Sequence, residues 1–144
     1  MKYVLNESQN KVIVKAIANA EDKTSAEICV RVEQDKITKD VKNEAWRVFE
    51  DLQMFKTKNR NAILIFICIK SKQFAVIGDK GIYNVTSPHD WENIANQMEL
   101  SFRKEGIYQA ILKSIHLCGE LAATHFPSEF NNDNELSNEI SFSK

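Results

Sequence analysis

Ala62-Ile63-Leu64-Ile65-Phe66-Ile67-Cys68-Ile69 is the stretch that decides the fold. It is an unbroken apolar run, rich in β-branched residues and too short to cross a bilayer, which needs about 20 residues. Such a run reads as a strand buried on both faces, and that requires helices above and below the sheet. A short polar turn, Lys70-Ser71-Lys72-Gln73, leads into Phe74-Ala75-Val76-Ile77-Gly78-Asp79, so the two runs predict an antiparallel hairpin.

Upstream, Ile28, Val30 and Val32 alternate with Glu27, Cys29, Arg31 and Glu33. This period of two predicts a strand with one wetter face. Between it and the central run, Val41, Ala45, Val48, Phe49 and Leu52 recur at helical spacing behind Thr38 or Asp40 as cap. Strand, helix and strand make a βαβ unit, whose crossover is right-handed and whose strands are parallel. A mixed sheet follows, parallel on one side of the central run and antiparallel on the other.

Helices supply the cover. Asn6-Glu7-Ser8 caps a first helix whose stripe is Val12, Ile13, Ala16, Ile17 and Ala20. Lys80-Gly81-Ile82 predicts a short helical turn. Ser87 and Pro88 fit the cap and first position of a helix carrying Trp91, Ile94, Ala95, Met98 and Phe102. Gly106 separates it from a last helix with Ile107, Ala110, Ile111, Ile115, Cys118, Leu121, Ala122 and Phe126, ended by Pro127. The expected fold is α/β, a three-layer α/β/α sandwich around a small mixed sheet. The domain is expected over residues 1–127. Residues 128–144 read as an acidic, mobile tail with Glu129, Asp133, Glu135 and Glu139 against Lys144; Phe130, Leu136, Ile140 and Phe142 leave a weak docking helix open.

The composition fits one domain. The chain has 144 residues, 43% of them apolar and 27% charged, ordinary values for a folded domain. Nineteen basic against twenty acidic residues give a formal net charge of −1, which argues against a nucleic-acid partner. No stretch is apolar enough for a membrane span, and the start turns polar too soon for a signal peptide. Cys29, Cys68 and Cys118 are far apart, with no Cys-x-x-Cys pair. They read as buried free thiols in a reducing compartment, the cytoplasm.

The topology brings polar residues to one end of the sheet. The two parallel strands start there and the antiparallel strand finishes there. Thr24, Ser25, Glu27, Arg60, Asn61, Gly78, Asp79, Lys80 and Gly81 should gather at that end, with Ser87, His89, Asp90 and Trp91 closing over it. Hard oxygen donors of this kind suit Ca²⁺, and less well Mg²⁺. Arg60 could instead grip a phosphoryl group with its fork. The plain alternative is that Asp79 caps the next segment and Arg60 pairs with Glu27. His116 and Glu120, four apart, read as an exposed helix pair. Tyr83 and Trp91 offer a stacking surface or a core rim.

Several of these segments resemble the TPM domain family. Thr24-Ser25-Ala26-Glu27-Ile28 is similar to the family's T-S-G-E-I opening, with Ala26 in place of Gly. Arg60-Asn61-Ala62-Ile63-Leu64 resembles its R-N-G-V-L-I strand entry. Gly78-Asp79-Lys80-Gly81-Ile82 resembles its G-D-x-G-I turn. Trp91-x-x-Ile94 and Phe102-Arg103-x-x-Gly106-x-Tyr108 resemble later elements. The resemblance covers about residues 8–127 and implies an α/β/α fold and calcium binding. Phosphatase activity is implied only loosely. Two functional expectations follow. The first is a divalent-cation (calcium) binding or protein-interaction module, with Asp79 as ligand beside Glu27 or Asp90. The alternative is a phosphomonoesterase in which Asp79 is nucleophile or metal ligand and Arg60 holds the phosphate. A protein partner is left open.

Overall fold

The computed structural model describes residues 5–128 and 140–143. The order along the chain is α1 (Glu7–Glu21), β1 (Ile28–Glu33), α2 (Val41–Asp51), β2 (Ile63–Cys68), β3 (Gln73–Gly78), α3 (Lys80–Tyr83), α4 (Pro88–Glu105), α5 (Ile107–His125) and β4 (Ser141–Phe142). The sheet runs β3-β2-β1-β4. β1 lies parallel to β2, with Ile28 opposite Ile63, and β3 returns antiparallel, with Gly78 opposite Ile63. The mixed sheet and the α/β/α layering are as expected from the sequence.

β2 is buried along its whole length because both of its faces meet helices. Ile63, Ile65 and Ile67 point to a layer built from α1, α4 and α5. Leu64, Phe66 and Cys68 point to α2, through Ala45, Val48 and Phe49. The expected difference between the two faces of β1 is present but small: Ile28, Val30 and Val32 are fully buried, and the other face is slightly wetter. Cys29 and Glu33 are buried and Arg31 is half-buried. β1 is an interior strand between β2 and β4, and Cys29 joins the core on the α2 side of the sheet.

Local signals set the helix ends. Asn6 and Gln9 form a reciprocal capping box at α1, Asp40 caps α2, and Ser87 with Asp90 forms a second box at α4 behind Pro88. Gly106, at φ +95°, turns the chain from α4 into α5. That region is open to glycine and strained for other residues. The expected tail of residues 128–144 falls mostly outside the described residues. Its described part forms no docking helix: Ser141 and Phe142 pair parallel with Arg31 and Val32 of β1. Ile140 and Phe142 pack on the larger core. Among the described residues no helix is long and apolar enough to cross a membrane.

Candidate functional site

At the sheet end where β1 and β2 begin, the hydrogen-bond ladder lines up three chain segments. The Ile63 amide donates to the Glu27 carbonyl at 2.8 Å, and the Asp79 amide donates to the Ala62 carbonyl at 2.9 Å. Glu27, Ala62 and Asp79 therefore lie in one row across the sheet. The expected gathering of polar turns is present. Their side chains, however, divide into separate pairs.

Arg60 and Asp79 form a fork. Arg60 Nε donates to Asp79 Oδ2 at 2.6 Å and Nη2 donates to Oδ1 at 2.9 Å. Asp79 Oδ1 also accepts from the Lys80 amide at 2.8 Å and so caps α3. The Asp79 side chain is 4% exposed and that of Arg60 37%. A bidentate, charge-assisted contact of this kind fixes geometry as well as charge. It joins the loop before β2 to the turn after β3. The hydrogen bond to Asp79 raises the Arg60 pKa further above its usual value. Of the two roles expected for Asp79, the cap is realised, and Arg60 pairs with Asp79 rather than with Glu27.

The backbone around the fork is equally constrained. Arg60 sits at φ +50°, an uncommon conformation for a residue with a side chain. Its carbonyl accepts from the Gly81 amide at 2.7 Å. A Cβ on Gly81 would stand 2.0 Å from the Asn59 carbonyl oxygen and 2.5 Å from that of Arg60. Gly78 meets the Trp91 ring in the same way, with a virtual Cβ 2.6 Å from the indole edge. Each glycine in Gly78-Asp79-Lys80-Gly81 is thus a point of close approach, one to a loop and one to an indole.

Glu27 takes a different partner, which sequence reasoning missed. It is 3% exposed and shares a hydrogen bond with Glu21 from the end of α1. Burial, and then the neighbouring Glu27 charge, raise the Glu21 pKa from 4.5 to about 8, against the pull of the Ile28 amide, which donates to Glu21 Oε2 at 2.8 Å. Burial and the adjacent Glu27 thus favour the protonated form of Glu21. Nothing in the local pattern around Glu21 marks it, because the pairing arises only when α1 packs on the sheet.

Asp90 stands apart from both pairs. Its carboxylate accepts from the Ser87 amide at 2.9 Å and from the Ser87 hydroxyl at 3.2 Å. The backbone bond from Ser87 holds its pKa below the usual range. Asn61 donates to the Ser25 hydroxyl at 3.3 Å. Its own oxygen is buried and has no partner among the described residues. Thr24 donates to the Phe126 carbonyl and accepts from the Ala26 amide. The exposed His116–Glu120 pair forms at 3.5 Å as expected. Burial pushes all three cysteine thiols up to about 12, which disfavours the thiolate form.

Asp79, Glu27 and Asp90 do not meet as a cation cage. Asp79 is neutralised by Arg60, Glu27 is bonded to Glu21, and Asp90 is spent on its helix cap. Among the described residues no group of three or more His, Cys, Asp or Glu side chains is arranged to hold a metal ion.

What does open beside Asp79 is a cleft of about 380 Å³. Its floor is the outer edge of β3 at Val76, Ile77 and Gly78. Lys42 and Trp46 of α2 form one wall, and Lys80, Tyr83 and Trp91 the other. Tyr83 and Trp91 stack with ring centroids 6.4 Å apart, and the indole N–H donates to Thr86. Trp46 and Tyr83 are 40% and 49% exposed. The sequence offers Tyr83 and Trp91 as a stacking surface or a core rim, and in the fold the two rings stack on each other at the cleft. Lys42 and Trp46 were missed because they lie off the apolar stripe of α2.

Fold and site together define a small α/β/α domain whose sheet end is locked by an ion pair and flanked by an aromatic, lysine-bearing cleft. The chain belongs to the TPM domain family, whose model matches residues 2–121. It is similar to the BA42 protein of the psychrophilic bacterium Bizionia argentinensis, solved by NMR. Identity is 35% and the TM-score 0.92, over 99% of this chain and 98% of that one. It also shares its fold with the N-terminal domain of a protein from P. gingivalis, with a TM-score of 0.71 and 11% identity over 88% and 83% of the two chains. No curated protein matches the chain.

Proposed function

We propose that this TPM domain is a binding module that takes a ligand or protein segment in the cleft between α2 and the α3–α4 turn. The observation that carries the reading is the division of labour at the sheet end. The groups with catalytic potential satisfy one another, while two exposed aromatic rings and two lysines border an open cavity. A cavity of this size, mostly apolar with a few convergent polar groups, is the usual form of a binding site. The phosphomonoesterase reading needs Arg60 for phosphate and Asp79 for metal or attack, and here each fills the other. A fragment screen by amide NMR tests the proposal. Hits should shift Gly78, Lys80 and Asn84, and Trp46→Ala should abolish those shifts. A screen whose hits all bind elsewhere would sink it.

A second reading keeps a divalent cation, calcium first, at Asp79 with help from Glu27 or Asp90. It is supported by a buried carboxylate whose counter-ion is a partly exposed, displaceable side chain, and by the open buried oxygen of Asn61 at the same sheet end. The cation would have to replace the Arg60 guanidinium. Calcium at millimolar concentration should then shift the Asp79 region weakly in the wild type and more strongly in Arg60→Gln. Silence in both proteins removes the reading.

A further inference from the structure

β3 is the open edge of the sheet. Its ladder to β2 fixes which backbone groups are used. Because the Asp79 amide donates to Ala62, the hydrogen-bonded pairs are Ala62 with Asp79, Leu64 with Ile77 and Phe66 with Ala75. Phe74, Val76 and Gly78 therefore turn their N–H and C=O groups away from β2. Among the described residues none of these outward groups has a partner. Natural sheets guard such an edge with charges, proline or a bulge. Gln73-Phe74-Ala75-Val76-Ile77-Gly78 has none of these, whereas the opposite edge of the sheet is the two-residue β4, paired on β1.

The cleft lies along this edge. Val76 and Gly78 line its floor, with α2 on one face of the sheet and the α3–α4 turn on the other. Phe74 stacks edge-on against Phe102, with centroids 5.1 Å apart, and carries the aromatic wall on beyond the cleft. An added strand would turn alternate side chains to the two walls. The charge of the walls is positive: Lys42 and Lys80 stand on either side, and Asp79 is already neutralised. Among the described residues neither lysine has an acidic partner.

We propose that the β3 edge takes up an extended acidic peptide segment from another protein, which adds as a fifth strand opposite Val76 and Gly78. Its carboxylate is held by Lys42 or Lys80. Strand addition supplies affinity through the backbone and specificity through alternate side chains. This deepens the binding-module reading and rests on it, by naming the partner class and the backbone that receives it.

The test uses a displayed library of seven-residue peptides selected against the full chain alone, and the selected peptides are then measured against Val76→Pro. Proline at position 76 removes an outward N–H and leaves the β2 ladder intact. Selected peptides should be extended, carry Asp or Glu between β-branched or aromatic residues, and lose at least about tenfold in affinity on Val76→Pro. Lys42→Glu, on an exposed helix position, should weaken the same peptides and leave the fold untouched. In the wild type, peptide should protect the Val76 and Gly78 amides from exchange. Peptides that perturb Trp46 and Tyr83 but ignore Val76→Pro would overturn strand addition while leaving the cleft as a binding site. No selected binder at the cleft would overturn both. A concentration-dependent dimer with protected Val76 and Gly78 amides would make a second copy the occupant and overturn the acidic peptide.

Discussion

Glu21 is the residue whose chemistry differs most from what its type suggests. Its pKa stands at about 8 in the folded domain against 4.5 for an ordinary glutamate. The folded state therefore holds a proton that the unfolded chain has already released between these two values. Stability must fall as pH rises through that window and level off above it. Glu21→Gln replaces the protonated carboxyl by an amide of the same shape. Its NH₂ can donate to Glu27 and its oxygen can accept from the Ile28 amide. The variant should match the wild type near pH 5, exceed it at pH 8.5, and show a nearly flat stability profile between. Urea unfolding across this range is the measurement. An unchanged slope in the variant would assign the pH dependence to other groups.

At the scale of elements, the lock between the loop before β2 and the turn into α3 depends on one missing side chain. Gly81 lets α3 approach until its first-turn amide bonds the Arg60 carbonyl. Gly81→Ala places a methyl group inside the Asn59 and Arg60 carbonyls, and backbone yields less readily than a side-chain tip. A loss of about 3 kcal/mol is expected, together with loss of the slow-exchanging Arg60 Nε–H signal as the fork opens. Lys80→Ala, one residue away and exposed, should stay within about 0.5 kcal/mol. This element also shows what sequence could and could not give. The elements themselves were legible because apolar period, caps and glycine breaks all agree, from Asn6 at α1 to Ser87-Pro88 at α4. The gathering of Arg60, Asn61, Asp79 and Gly81 followed from topology alone. Which side chain takes which partner did not follow. The Arg60–Asp79 fork depends on a positive-φ loop, and the Glu21–Glu27 pair depends on how α1 docks.

For the whole molecule, the sheet separates two cores of unequal size. The α1, α4 and α5 layer buries many more side chains than the α2 layer, which rests on Ala45, Val48 and Phe49 against the sheet. A single 11-residue helix held by three buried side chains is the least secured layer, and local opening is drawn from such elements. The cysteines report on this directly: Cys29 and Cys68 face α2, whereas Cys118 lies in the opposite core. All three are buried thiols that react only when exposed. In native buffer with excess thiol reagent, Cys29 and Cys68 should be labelled through opening of α2, at a rate above that of global unfolding. Cys118 should wait for global unfolding itself. Trp46→Ala, which removes the ring packed edge-on against Phe49 with centroids 5.0 Å apart, should accelerate the first two and change Cys118 less. Equal rates for all three thiols would mean instead that the two layers open as one cooperative unit across the sheet. In that case the α2 wall of the cleft would be as rigid as its floor.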